Sequence, residues 1–112
     1  MKIYHNPRCR KSREGVQYLT DKKLNFEIFD YLKEGFSEDD IKSILKNLNM
    51  SAIEIVRKNE KIWKDNFKGK ELKEEQIISI LCEQPKLIER PIIVHKNKAV
   101  IGRPKENIDN LL

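Results

Sequence analysis

Apolar residues recur along this chain with two rhythms, and the switches between them predict the elements. Residues 2–5 (Lys-Ile-Tyr-His) read as a short strand closed by Asn6-Pro7. A helix is expected from about Lys11 or Ser12 to Lys22, with Val16 and Leu19 on its inner face and Gly15 as a weak point. The alternating, aromatic stretch Asn25–Tyr31 predicts a second strand, so the first thirty residues form a βαβ unit with parallel strands. Ser37 and Asp40 have the spacing of a capping box, and Ile41, Ile44, Leu45 and Leu48 follow at helical intervals. Ser51 and Glu54 repeat the start signal for a shorter helix. Residues 58–71, with Trp63 and Phe67, follow neither rhythm. Lys73–Glu83 predicts a helix carrying Ile77, Ile78, Leu81 and Cys82, stopped by Pro85. After Arg90-Pro91 the period returns to two: Ile92–His95 and Ala99–Ile101 flank a Lys96-Asn97-Lys98 turn, an antiparallel hairpin. A last helix is expected after Gly102-Arg103-Pro104, burying Ile108, Leu111 and Leu112. The order β-α-β, helices, β-β-α predicts an α/β fold with a four-stranded mixed sheet flanked by helices, in one domain spanning residues 1–112.

Composition narrows the class. The chain has 112 residues, 38% hydrophobic and 37% charged, the balance of a small globular domain rather than a disordered segment. No apolar run approaches the ~20 residues that cross a bilayer, and no signal-peptide core opens the chain, which points to the cytoplasm. The net charge of +5 is spread among acids, without a nucleic-acid-binding signature, so nucleic acid is not the expected partner. Two cysteines are too few for a disulfide scaffold.

Of these, Cys9 has the setting of a reactive thiol. It stands where the first strand passes into the first helix. Backbone N–H groups and the positive end of the helix dipole favour thiolate there. Arg8, Arg10, Lys11 and Arg13 lie within four positions and are expected to act in the same direction. The same features bind oxyanions, so this loop combines a nucleophile with an anion cradle. The alternative is an inert buried cysteine, but those sit in apolar company. Ser12 either donates a hydrogen bond to the thiolate or satisfies first-turn backbone groups. His5 either tunes Cys9 or caps a strand. Cys82 falls on the apolar stripe with Ile78 and reads as core filler, or as a remote resolving thiol. His95 is given no role, and no closed metal site fits the spacing of Cys9, Cys82, His5 and His95.

His5-Asn6-Pro7-x-Cys9-x-x-Ser12-Arg13 resembles the active-site segment of the glutaredoxin-coupled arsenate reductases, the ArsC family. The likeness continues in Ile55-Val56-Arg57-Lys58-Asn59, in Glu89-Arg90-Pro91-Ile92-Ile93-Val94 and in Ile101-Gly102-Arg103-Pro104, which span nearly the whole chain. The resemblance implies a thioredoxin-like fold in which Pro91 is a cis-proline facing Cys9. It implies that Cys9 attacks arsenate, that Arg57, Arg90 and Arg103 hold the oxyanion, and that glutathione and glutaredoxin complete reduction to arsenite. No bound cofactor is expected. Guanidinium forks match tetrahedral oxyanions and keep their charge, which supports the arginine roles independently. Arg103 is also expected to precede a helix N-terminus aimed at the anion.

Two other functions fit parts of the pattern. One is a general thiol-disulfide oxidoreductase of the same fold, favoured by the charged residues Arg10 and Lys11 after the nucleophile. The other is an Spx-type regulator that binds RNA polymerase and senses oxidation through Cys-x-x-Cys. Ser12 at the second cysteine position argues against that switch.

Overall fold

Ile3, Ile92 and Ile93 are fully buried, and their strands form the centre of the sheet. The computed structural model describes all 112 residues. Strand β1 (Lys2–His5) lies parallel to β2 (Glu27–Asp30) and antiparallel to β3 (Ile92–His95), which pairs antiparallel with β4 (Lys98–Ile101). The order is β2-β1-β3-β4. Ile92 and Ile93 point to opposite faces and both are buried, so β3 is covered on both faces and reads as an apolar run, Ile92-Ile93-Val94. Edge strand β2 instead exposes Ile28. Helix α1 (Arg10–Asp21) connects β1 to β2 and buries Leu19 against Ile3, Ile93, Ile108 and Leu111.

Contacts divide the chain into two compact units. The first, Met1–Glu34 with Arg90–Leu112, carries the whole sheet and α1. The second, Gly35–Glu89, is helical. In it α3 (Glu38–Leu48) packs on α5 (Glu74–Glu83) through Ile41, Ile44 and Leu45 on one helix and Ile77, Ile78 and Leu81 on the other. Both bonds of the Ser37–Asp40 capping box are made at 3.0 Å. The Ser51–Glu54 signal starts only a 3-10 turn, Ala52–Ile55. The ambiguous stretch contains a short α4 (Lys61–Asn66) that buries Trp63.

Several expectations are corrected. The second strand ends at Asp30 because its Oδ1 accepts the N–H groups of Leu32 and Lys33 at 3.2 Å. This caps a four-residue α2 (Tyr31–Glu34) in the way aspartate caps helix starts. The hairpin turn is Lys96-Asn97 alone: Lys98 pairs with His95, and Lys96 takes the left-handed φ of 57° that tight hairpins use. The last element is a 3-10 helix, Lys105–Leu111, which buries Ile108 and Leu111 but leaves Leu112 60% exposed. Cys82 is half-buried rather than core.

Gly15 has a packing reason. A Cβ there would stand 3.0 Å from Pro91 Cγ and 3.3 Å from Ile3 Cδ1, so its absence lets α1 lie close against the start of β3. An exposed helical Gly→Ala change stabilises by about 1 kcal/mol. Here the ring of Pro91 opposes that gain, and Gly15→Val is expected to destabilise by ~1–3 kcal/mol through overpacking. Urea unfolding followed by circular dichroism measures the shift; a Gly15→Val protein as stable as wild type would contradict the close approach.

Candidate functional site

Asn6-Pro7-Arg8-Cys9 is a β-turn closed by the Cys9 N–H, which donates to the Asn6 carbonyl at 3.0 Å. Asn6 Oδ1 accepts the Arg8 N–H at 3.0 Å and stiffens the same turn. Proline suits the second position of such a turn. Cys9 leaves it with extended dihedrals (φ −93°, ψ 121°) and is itself the N-cap of α1. Cys9 is 8% exposed. The Nε–H of Arg90 donates to Cys9 Sγ at 3.1 Å, joining residues 81 positions apart.

Arg90 owes that position to the start of β3. The Arg90-Pro91 peptide is cis, and the Gly102 N–H donates to the Pro91 carbonyl at 2.9 Å. Below Cys9, Ser12 is fully buried. Its Oγ accepts the Asn6 N–H at 2.9 Å and lies 2.9 Å from Nδ1 of His5, itself buried. Ser12 thus ties the turn, α1 and the end of β1 into one polar knot. His5, Cys9, Ser12, Arg90 and Pro91 come together in the first unit.

Burial by itself pushes the Cys9 thiol up. The N–H of Ser12, the charge and hydrogen bond of Arg90 and the N–H of Lys11 outweigh it and hold the thiol below its ordinary value. Neither N–H closes a full capping bond onto the sulfur; both act as the partial positive charge of a helix start. The expectation that Arg8, Arg10, Lys11 and Arg13 act on Cys9 through their side chains is corrected. Arg10 and Lys11 face Glu14 at 3.4 and 3.5 Å, and Arg13 Nη1 donates to the Pro7 carbonyl at 2.9 Å. The distant Arg90 supplies the charge instead.

His5 is held below its ordinary value, first by burial and also by the Arg13 charge, against the opposing pull of Asp30 and Ser12. Asp30 was not among the expected site residues. Its signal was the register of the two parallel strands, which sets His5 opposite Asp30. Asn6, likewise unassigned, supplies three of the turn's bonds.

The other arginines are placed differently. Arg103 is exposed after β4, and its guanidinium forms no hydrogen bond or ion pair. The helix it precedes is a 3-10 helix of seven residues capped by Pro104. Arg57 belongs to the second unit, where Nη1 contacts Glu60 at 2.6 Å and donates to the Lys86 carbonyl at 3.2 Å. Cys82, also in the second unit, is pushed up by burial and by the charges of Glu38, Asp40 and Glu83. No three His, Cys, Asp or Glu side chains form a metal-binding group, and no helix is long and apolar enough to cross a membrane.

A thiol capping the helix after β1, bonded by the arginine that precedes a cis-proline at the start of an antiparallel neighbour strand, marks a thioredoxin-like arrangement. Residues 4–111 match the sequence profile of the ArsC family, and the chain belongs to that family. An arsenate reductase of Haemophilus influenzae is 35% identical over 98% of this chain and 97% of its own length. A protein of Escherichia coli described only as uncharacterized protein YfgD is 42% identical over 96% of this chain and 92% of its own. Among solved structures, the arsenate reductase of Vibrio cholerae superposes with a TM-score of 0.94 at 33% identity, covering 100% of this chain and 98% of that one. The mixed four-stranded sheet with flanking helices is the architecture of these relatives.

Two measurements test the electrostatics. At about pH 6.5, iodoacetamide is expected to alkylate Cys9 roughly tenfold or more faster than Cys82, since thiolate is the reacting species. Arg90→Ala removes two of the influences that lower Cys9 and should slow that labelling, while leaving Cys82 unchanged. Peptide mass spectrometry reads both rates, and equal labelling of the two cysteines would refute the assignment.

The second concerns His5. Its proton is bound more weakly in the folded chain than in the unfolded one, so the unfolded state takes up more protons as pH falls. Its contribution to stability is present above its unfolded value of about 6.5 and lost as pH drops through its lower folded value. Urea midpoints should therefore fall from about pH 7 to pH 5, with a shallower slope in His5→Gln. An unchanged slope in that variant would remove His5 as the source.

Proposed function

We propose that the protein reduces arsenate, with Cys9 as nucleophile and an external thiol completing the reaction. The observation that carries this reading is the Arg90 Nε–H donating to Cys9 Sγ at 3.1 Å. That bond sets a permanently charged planar donor beside a thiolate at a helix start. A tetrahedral oxyanion entering there meets charge, N–H donors and the nucleophile together.

The thiolate attacks arsenic(V), and an arsenate oxygen leaves as water after protonation, forming a sulfur–arsenic bond. A glutathione thiolate then attacks Cys9 Sγ. The sulfur–arsenic bond breaks with its electron pair going to arsenic, which departs as arsenite. Cys9 is left in a mixed disulfide with glutathione. Glutaredoxin thiols reduce that disulfide and restore the Cys9 thiol, so two electrons enter for each arsenate reduced. Ser12 occupies the place where a second cysteine would stand one helical turn from Cys9, so resolution by a neighbouring thiol of this chain is unavailable.

Arg90 holds the oxyanion as charge develops, and the unpaired fork of Arg103 is assigned the same task. The resemblance assigns it to Arg57 as well, whose guanidinium is engaged with Glu60 and the Lys86 carbonyl.

The test is arsenate-dependent NADPH oxidation in the presence of glutathione, glutathione reductase and glutaredoxin. Cys9→Ser should abolish turnover and Cys82→Ser should leave it nearly unchanged. Arg90→Ala and Arg103→Ala should each lower it by about tenfold or more, since a charge-assisted contact is worth ~1.5–3 kcal/mol and ~1.4 kcal/mol is tenfold. Lysine should not rescue either position, for want of the planar fork. Absent turnover in the wild-type protein overturns the reading.

A further inference from the structure

Arg103 combines a free side chain with a held backbone. The residue is exposed, and its guanidinium forms no hydrogen bond or ion pair. The chain on both sides of it is nevertheless fixed. Before it, the Gly102 N–H donates to the Pro91 carbonyl at 2.9 Å. That bond carries the β3–β4 register one pair beyond Ile92 and Ile101. A Cβ on Gly102 would stand 2.8 Å from Ile93 Cδ1 and 3.1 Å from Pro91 Cγ, so the two strands meet closely there. Arg90 precedes one member of this bonded pair and Arg103 follows the other. The two arginines therefore leave the same end of the hairpin, on strands that run about 5 Å apart. Arg90 is the one that donates to Cys9 Sγ.

After Arg103 the clamp is Asn107. A side-chain amide has two N–H donors, and both are directed at this loop: Nδ2 donates to the Ile101 carbonyl at 3.1 Å and to the Arg103 carbonyl at 3.2 Å. The Asn107 backbone N–H donates to the Pro104 carbonyl at 3.0 Å. One residue thus closes the chain between the end of β4 and the 3-10 helix Lys105–Leu111. That helix is itself anchored. Ile108 and Leu111 lie in the core with Ile3, Leu19 and Ile93. Asp109 Oδ1 accepts the Tyr18 hydroxyl at 2.7 Å and meets Lys22 Nζ at 3.3 Å, which ties the segment to α1, the helix that Cys9 caps. Asn107 therefore sits on a support shared with the nucleophile. A guanidinium that engages a ligand only on its arrival stays free beforehand, so what the fold can set in advance is the backbone that carries it.

We propose that Asn107 is a positioning residue: by clamping the Ile101 and Arg103 carbonyls it sets the Arg103 guanidinium where a tetrahedral oxyanion at Cys9 meets it. The proposal rests on the oxyanion-holding role given to Arg103 above, but it is tested by oxyanion binding, without arsenate turnover.

Inorganic phosphate, a tetrahedral oxyanion that thiols do not reduce, serves as the probe. At constant ionic strength it should slow iodoacetamide labelling of Cys9 and leave Cys82 labelling alone. The readout is the half-protecting phosphate concentration, each variant being compared with its own rate without phosphate. Arg103→Ala should raise that concentration about tenfold, and Asn107→Ala roughly fivefold. Arg103→Ala/Asn107→Ala should be no worse than Arg103→Ala alone, because a residue that acts only through another costs nothing once the other is gone. A loss of stability alone would weaken protection equally with or without Arg103. Asn107→Ser, which keeps a single donor, should fall between Asn107→Ala and wild type, and it replaces the alanine variant in the cycle if circular dichroism shows that variant unfolded. Cys9 unprotected in the wild-type protein, no effect of Arg103→Ala, unchanged protection in Asn107→Ala, or effects of the two variants that simply add overturns the proposal. Coupled variants without arsenate turnover leave the role of Asn107 standing and remove the arsenate reading. Turnover with additive or absent effects at Asn107 does the reverse.

Discussion

The contact between Arg90 and Cys9 organises the first unit. It closes a loop from residue 9 to residue 90 and joins the two junctions that make up the site: β1 into α1, and the entry to β3. Each junction is held by backbone as well as side chain. The Asn6–Cys9 turn fixes the sulfur at the helix start, and the Gly102 N–H on the Pro91 carbonyl fixes the entry of β3. Gly15 lets α1 approach Pro91 closely enough for both to hold at once. A charge at 3.1 Å in a site with little water acts more strongly than several solvated ones. That explains why one arginine 81 positions away influences Cys9 while three nearby cations engage other partners.

The polar knot beneath the sulfur follows from the residue at position 12. A second cysteine there would give a local redox pair. Serine gives a small hydroxyl that accepts the Asn6 N–H and meets His5 Nδ1, satisfying groups that would otherwise be buried unpaired. The substitution thus exchanges a redox partner for rigidity. With serine at position 12, Cys9 has no second thiol one helical turn away.

Much of this was legible in the sequence where local chemistry decides structure. The β-α-β opening, the Ser37–Asp40 capping box and the return to strands after Pro91 rest on periodicity and end signals that tertiary contacts did not override. Cys9 was legible because a cysteine between a strand and a helix start has few structural uses. The misses share a different cause. Asp30 ended β2 early because its carboxylate found backbone donors two and three residues on, a competition that an aromatic, alternating pattern does not show. Pairing choices among charged side chains were equally hidden. Arg10 and Lys11 turned to Glu14 at helical spacing, whereas proximity in sequence to Cys9 suggested otherwise. Cys82 sat one position off the fully buried stripe of α5, a rotation below the resolution of an apolar pattern.

The two cysteines show how the same side chain is set to opposite ends by its surroundings. Both lose water, and that loss alone disfavours either thiolate. At Cys9 the loss is outweighed by N–H groups at a helix start and a guanidinium. At Cys82 three carboxylates add to it, and the residue lies near the negative end of α5 rather than the positive end of α1. Dipole, neighbouring charge and burial therefore agree in sign at Cys82 and conflict at Cys9. A conflict of this kind leaves a group responsive to its surroundings: whatever drew the Arg90 guanidinium away from Cys9 would weaken the support for the thiolate and let burial push the thiol up.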